Sequence, residues 1–107
     1  MEIDKENNIN WGEEEDAVYE LRLFVNGTSP ISLRAINNLK KLLEERIQGK
    51  YHLEIIDAHQ QPLLVQTENV TAVPMLIKKL PLPKKRLVGD MSDIQKVLKG
   101  LGLEQNK

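Results

Sequence analysis

The N-terminal half of the chain carries two hydrophobic periods in succession. From Val18 to Val25 apolar and polar residues alternate, which predicts a β-strand. Ser29 and Pro30 then favour a helix start, as N-cap and first helical residue. Apolar residues recur at helical spacing from there until Gly49: Ile31, Ala35, Ile36, Leu39, Leu42, Leu43 and Ile47. Residues 51–57 predict a second strand, so this half predicts a parallel, right-handed βαβ unit.

The C-terminal half has a weaker pattern, interrupted by prolines. After a loop that closes at Pro62, the apolar residues Leu63, Leu64, Val65 and Val70 predict a short helix. Two strands follow, at residues 75–80 and 84–88, and Pro81-Leu82-Pro83 joins them as an antiparallel pair. A last helix is predicted from one apolar stripe, formed by Ile94, Val97, Leu98 and Leu101, with Ser92-x-x-Gln95 as a capping box.

The predicted order βαβαββα is the arrangement of the thioredoxin-like fold, and the fold class is therefore α/β. Val73-Pro74 occupies the place where such folds have a cis-proline before their third strand. Proteins of this fold that perform redox chemistry keep a CxxC between the first strand and the first helix. Here Asn26-Gly27-Thr28-Ser29-Pro30-Ile31-Ser32 stands in that place, and the 107-residue sequence contains no cysteine. Disulfides, thiolate catalysis and cysteine-ligated metals are thereby excluded.

Length and charge divide the chain into an arm, one domain and a tail. A sequence of 107 residues, 40% hydrophobic, suffices for one domain, and no apolar run is long enough to span a membrane. Residues 1–16 carry seven acids and one lysine, a net charge of −6, whereas the rest carries +5. We expect a disordered acidic arm at 1–17, a domain at 18–103, a tail at 104–107 and a cytoplasmic location. Alternatively the arm folds back on the basic face of the domain, anchored by Trp11.

The remaining side chains offer little catalytic chemistry. Asp57 and His59 could reach one metal ion but have no third ligand nearby, so we predict no metal site. The sequence has neither a Ser/His/Asp constellation nor a glycine-rich phosphate loop, and we predict no enzyme activity and no cofactor. A glutathione-binding domain stays open as an alternative, with Ser29 and Val73-Pro74 as the ligand contacts.

A basic patch is predicted on the proline-flanked hairpin: Lys78, Lys79, Lys84, Lys85 and Arg86. The isoelectric point near 6.1 and the four aromatic residues argue against nucleic acid as the partner. Pro81 and Pro83 are two residues apart, so the segment is no PxxP ligand. The patch is predicted either to contact an anionic protein surface or to be a solvated face that protects an edge strand.

Residues 19–101 resemble the KaiB family of circadian-clock proteins without a gap. The matching stretches are LRLFVNGTSPISLRAINNLKKLLE, YHLEIIDAHQQPLL and AVPMLIKKLPLPKKRLVGDMSDIQKVLKGL, and L-P-L-P-x-x-R followed by G-D-[LM]-S is specific. The resemblance implies a non-enzymatic adaptor that binds the N-terminal ATPase ring of a KaiC-like hexamer and modulates its phosphorylation cycle, in a clock, a timer or a stress response. KaiA and a SasA-type kinase are the further partners it implies, the kinase in competition.

The family also implies two folds. A ground-state fold, forming a homo-oligomer (dimer or tetramer), interconverts with a monomeric thioredoxin-like form and keeps the N-terminal βαβ half. The divided local preferences of the C-terminal half agree with this, since prolines weaken a sheet and glycines weaken a helix or a strand. The fold-switch residues predicted by the resemblance are Pro74, Pro81, Pro83, Gly89, Asp90, Gly100 and Gly102. Helix preference alone predicts that Gly100→Ala favours the thioredoxin-like form.

Partner-binding residues are carried over in the same way: Arg34, Lys84, Lys85 and Arg86. Glu54 and Asn69 stand where clock members of the family commonly have lysine, and Gly102 replaces an aspartate. These departures predict a divergent paralogue, paired with a divergent KaiC and lacking KaiA.

Overall fold

The computed structural model describes residues 18–103, so the predicted arm (1–17) and tail (104–107) lie outside the described residues. The elements follow in the order β1 (Tyr19–Val25), α1 (Pro30–Ile47), β2 (Tyr51–Asp57), α2 (Pro62–Thr67), β3 (Met75–Leu80), β4 (Lys85–Val88) and α3 (Ile94–Leu101). The predicted βαβαββα order and the α/β class are therefore confirmed. Within residues 18–103 no helix is long and apolar enough to cross a membrane.

One four-stranded sheet forms the centre of the domain, with the strand order β2-β1-β3-β4. β1 and β2 are parallel, with Leu23 opposite Ile55, as the helical crossover requires. β3 runs antiparallel to β1, with Leu76 opposite Leu23, and β4 runs antiparallel to β3. β2 and β4 are therefore the two edge strands, and each presents unpaired backbone groups.

Side chains on the two faces of the sheet form two separate cores. Leu21, Leu23 and Val25 of β1 point to the face that α1 and α3 cover. Phe24 of β1 points to the opposite face, where it packs with Ile56, Met75 and Ile77 under residues of α2. This division follows from the period-2 alternation of β1, which places successive side chains on opposite faces.

The start of α1 agrees with the sequence prediction in atomic detail. Pro30 is the first helical residue, and the Ser29 hydroxyl oxygen accepts a hydrogen bond from the Ser32 backbone N–H at 3.3 Å. Ser32 itself is fully buried, and its Oγ accepts the Asn26 backbone N–H at 2.9 Å. The loop that follows β1 is thus fixed to the first turn of α1 by two serine hydroxyls.

The predicted capping box of α3 is wrong by one residue. Asp93 is the N-cap, and its Oδ1 accepts from the Lys96 backbone N–H at 3.2 Å. The Ser92 backbone N–H instead donates to Asp90 Oδ1 at 3.0 Å. At the other end Gly102 adopts a left-handed conformation (φ +76°) and closes the helix in a Schellman-type turn.

Two further side chains differ from their predicted positions. Lys78 is only 4% exposed and so does not belong to the exposed basic patch. Its register explains this, because Lys78 lies opposite Leu21, which faces the core under α1 and α3. Burial, with a smaller effect of the neighbouring Lys85 charge, lowers the pKa of Lys78. Ile94, predicted to belong to the apolar stripe of α3, is 41% exposed because it lies at the helix start, whereas Val97, Leu98 and Leu101 are buried.

Candidate functional site

The loop that carries the thiols in redox members of the fold holds serines here. Because Phe24 lies opposite Met75, the loop after β1 and the segment before β3 meet at the same end of the sheet. The Val73-Pro74 peptide bond is cis, as the fold comparison predicted. The Ser29 hydroxyl is engaged in capping α1, and the Pro74 carbonyl accepts the Gly89 N–H at 3.1 Å. These polar groups serve the fold, which weakens the glutathione-binding alternative.

Three of the predicted partner-binding residues lie together on the β3–β4 hairpin. Lys84, Lys85 and Arg86 are all exposed and consecutive along the edge strand β4 and the residue before it. Arg86 Nη1 donates to the Asn69 carbonyl at 3.5 Å and contacts the Met75 sulfur at 3.5 Å. We call Lys84, Lys85 and Arg86 the cationic hairpin.

Arg34 lies apart from the cationic hairpin. Its Nε is 3.4 Å from Asp90 Oδ2, and Asn38 Nδ2 donates to the Asp90 carbonyl at 2.8 Å. Asp90 follows the C-terminal end of β4, whereas Lys84 precedes its N-terminal end, so the strand separates Arg34 from Lys84. Hydrogen bonds from Ser92, and then from Arg34, lower the pKa of Asp90. Three of the four predicted cations therefore lie at the start of the edge strand, and Arg34 lies beyond its other end.

A buried carboxylate that the sequence analysis missed holds the base of the hairpin. Glu68, which follows α2, has a side chain only 7% exposed. Its Oε2 lies 2.6 Å from Lys79 Nζ and 2.8 Å from Arg22 Nη1, and its Oε1 lies 3.9 Å from Lys84 Nζ. The hydrogen bond from Lys79 is the main cause that lowers the pKa of Glu68, and the three positive charges act in the same direction against burial. We call Arg22, Glu68, Lys79 and Lys84 the Glu68 cluster.

A groove of about 370 Å³ lies on the sheet beside the Glu68 cluster. It is lined by Glu20, Leu21, Arg22, His52, Glu54, Lys79 and Leu80. Glu54 pairs with Arg22 at 3.2 Å, so this departure from the lysine of clock members is part of an ion pair in the structure. The mixture of charges in the groove favours no single class of small ligand.

The predicted fold-switch residues all lie in the C-terminal half. Pro74, Pro81 and Pro83 flank β3 and the hairpin turn, each after a cis peptide bond. Gly89 and Gly102 have positive φ (+127° and +76°), which favours glycine at both places. Gly100 lies inside α3, where an added Cβ would stand 2.7 Å from Leu87 Cδ1. Asn69 also has positive φ (+57°), a conformation that asparagine adopts more readily than lysine.

Metal ligands are not assembled in the part of the chain that the structure describes. Among residues 18–103 no group of three His, Cys, Asp or Glu side chains is placed to hold an ion. Asp57 Oδ1 accepts the His59 backbone N–H at 2.9 Å, which is a turn-forming contact. His52 Nδ1 lies 3.6 Å from Glu20 Oε1 on the exposed sheet surface.

Comparisons of the fold identify thioredoxin-like structures. The N-terminal domain of SasA from Synechococcus elongatus superimposes with a TM-score of 0.66, at 23% identity, over 85% of this chain and 90% of that domain. Chloroplastic thioredoxin z superimposes with a TM-score of 0.63, at 16% identity, over 95% of this chain and 98% of the other. At these identities the likeness establishes the fold alone.

Comparisons of the sequence identify the family. The KaiB domain model matches residues 22–103. The circadian clock oscillator protein KaiB of Prochlorococcus marinus subsp. pastoris is 47% identical over 85 residues, 79% of each chain. KaiB of Synechococcus elongatus is also 47% identical, over 79% of this chain and 83% of its own. The chain therefore belongs to the KaiB family.

Proposed function

We propose that the protein is a non-enzymatic adaptor that binds the N-terminal ATPase ring of a KaiC-like hexamer and modulates its phosphorylation cycle, in a clock, a timer or a stress response. The observation that carries the proposal is the 47% identity to circadian clock oscillator proteins, joined with the same fold as the SasA N-terminal domain. The SasA N-terminal domain and this chain thereby share one architecture. One architecture on two proteins favours competition for one binding surface.

The described surface suits protein binding better than catalysis. The cationic hairpin lies along the edge strand β4, and edge strands offer both backbone groups and side chains to a partner. The exposed cations Lys84, Lys85 and Arg86 favour an acidic partner surface, which raises the association rate and the specificity. Arg34, 59% exposed at the other end of β4, extends the same contact.

Fold switching belongs to the proposal as well. The described thioredoxin-like form is the form proposed to bind the ATPase, and a second, homo-oligomeric fold would keep β1, α1 and β2. The seven residues predicted to act in the fold switch lie after β2, in the part of the chain that would rearrange. A switch of this kind requires two packings within a few kcal/mol of each other. KaiA and a SasA-type kinase remain proposed further partners of the same assembly, the kinase in competition.

Complex formation with the KaiC-like ATPase of the same organism tests the proposal. The full chain and the hexamer are incubated overnight with ATP, because refolding before binding makes association slow, and separated by size exclusion. We expect a complex for the wild-type chain, and at least about tenfold weaker binding for Lys85→Glu with Arg86→Glu, because like charges then face each other.

The matched control is Lys40→Glu with Lys41→Glu. These lysines are exposed on α1, and the change in net charge is the same. We expect this control to bind like the wild type. If the wild-type chain forms no complex, the proposal is overturned. If both double variants lose binding equally, the effect is one of net charge and not of a contact made by the hairpin. Retention of the wild-type chain on immobilised glutathione would favour the alternative instead.

A further inference from the structure

The turn of the β3–β4 hairpin exposes apolar side chains beside cations. Leu82 is 75% exposed and Leu80 is 47% exposed, and Val18, at the start of the described chain, is 50% exposed. Lys84 and Lys85, also exposed, follow the same turn. We call Leu80, Leu82, Lys84 and Lys85 the tip surface. Exposed leucines next to lysines are suited to a segment that is both apolar and acidic.

The strand pairing brings the preceding part of the chain to this place. β1 runs antiparallel to β3, and Glu20 lies opposite Leu80, the last residue of β3. β1 therefore begins at the end of the sheet that carries the hairpin turn. The pairing of β1 with β3 shifts register here, because Leu21 lies opposite Lys78 whereas Glu20 lies opposite Leu80. Leu80 consequently lines the groove beside the Glu68 cluster, together with Glu20 and Arg22.

The sequence that enters the sheet here complements the tip surface. Glu13, Glu14, Glu15 and Asp16 form an unbroken acidic run that ends two residues before Val18. At about 3.3 Å per extended residue, two to five residues span at most roughly 7 to 17 Å, so the sequence distance from Val18 keeps these carboxylates within reach of the hairpin turn. Ile9 and Trp11 precede the run and supply the apolar partners. This is the only run of four consecutive acids in the sequence, and Gly12 alone separates it from Trp11.

We propose that residues 9–16 of this chain dock on the tip surface of the same molecule, with Trp11 against Leu80 and Leu82 and the acidic run facing Lys84 and Lys85. The short connection favours the intramolecular contact over a second copy, because it sets an effective concentration in the millimolar range. An indole against leucines, with lysines at its edge, gains both apolar burial and cation–π attraction.

Docking would give the arm a regulatory role. Lys84 and Lys85 are among the residues proposed to contact the ATPase, so the docked arm would compete with that partner. This consequence rests on the proposed function. The contact itself needs no partner, and its test is therefore independent of complex formation.

Trp11 provides the test, because it is the only tryptophan in the sequence and its fluorescence reports the arm alone. Acrylamide quenching of the full chain is compared with that of free N-acetyltryptophanamide, over a series of protein and salt concentrations. We expect Trp11 to be protected in the wild type, and protection to decrease with salt as the ionic contacts are screened. Leu82→Ser with Lys84→Glu and Lys85→Glu should abolish the protection.

Two controls keep the outcome interpretable. Lys40→Glu with Lys41→Glu makes a charge change of the same kind on α1 and should leave Trp11 protected. Far-UV circular dichroism of the tip variant should match the wild type, since the three altered side chains are exposed and Lys84 Nζ, at 3.9 Å, is the most distant of the three cations around Glu68. Trp11 quenched like the free analogue in the wild type, or protected equally in the tip variant, would overturn the proposal. Protection that rises with protein concentration would overturn its intramolecular form.

Discussion

Replacing Glu68 by glutamine removes the charge that three cations share while keeping the shape of the side chain. Arg22, Lys79 and Lys84 would then face one another around a neutral amide, with Lys79 Nζ and Arg22 Nη1 both within 2.8 Å of the former carboxylate oxygen. Breaking a buried ion pair by removing one partner costs about 3 to 5 kcal/mol. Because the cations are 28 to 47% exposed and recover part of their hydration, we expect a loss of about 2 to 3 kcal/mol in the free energy of unfolding.

Urea denaturation followed by far-UV circular dichroism measures this loss, and thermal melting should show a decrease in Tm of roughly 8 to 24 °C for a domain of this size. Glu54→Gln is the matched control. Glu54 contacts the same arginine at 3.2 Å but is 56% exposed, so its loss should stay below about 1 kcal/mol. The two identical substitutions thus compare a buried carboxylate shared by three cations with an exposed carboxylate that pairs with Arg22.

The lowered pKa of Glu68 also predicts how the stability of these two variants depends on pH. The pKa of Glu68 is lowered in the folded state, so the folded state favours the carboxylate and the cluster is fully stabilising above the ordinary glutamate value of 4.5. The difference between wild type and Glu68→Gln should shrink as the pH falls through the folded-state pKa. Equal losses for Glu68→Gln and Glu54→Gln at neutral pH, or a difference that does not change in acid, would refute this reasoning.

Three further substitutions test the packing. Gly100→Ala gains about 0.5 to 1 kcal/mol of helix preference, but its Cβ would stand 2.7 Å from Leu87 Cδ1, an overpacking cost of about 1 to 3 kcal/mol. Urea denaturation should therefore show a net loss in the free energy of unfolding, and a net gain when the same substitution is made in a Leu87→Ala background. A gain in both backgrounds would contradict the clash. Lys78→Met should raise the free energy of unfolding by roughly 1 kcal/mol at neutral pH. Because the pKa of Lys78 is lowered in the folded state, this advantage should fade as the pH rises towards 10.5, and a constant advantage would exclude the buried charge as its cause. Ser32→Ala leaves the Asn26 N–H without its acceptor and should cost about 1 to 2 kcal/mol in the same assay, whereas an unchanged midpoint would show that the loop finds another acceptor.

Local patterns in the sequence determined the elements with strong periodicity. The alternation of β1, the apolar stripe of α1 and the Ser29-Pro30 helix start are each encoded by neighbouring residues, and the structure has them where the pattern predicts. The missing cysteines excluded disulfides and thiolate catalysis without any structure. The family also followed from the sequence, since the motifs that carry the resemblance are contiguous.

The tertiary structure alone decided which polar side chains are buried and which of them meet. Glu68 carries no periodic signal, and its partners Arg22 and Lys79 are 46 and 11 residues away in the sequence. In the sequence, Lys78 is indistinguishable from the exposed lysines around it. Its burial follows from the strand register, which places it opposite Leu21. The start of α3 moved to Asp93 because Asp90 takes the Ser92 N–H. The positions of Glu68 and Lys78 depend directly on contacts between distant segments, and Asp90 is in turn held by the distant residues Arg34 and Asn38. Such contacts form only once the sheet has fixed its strand order and register.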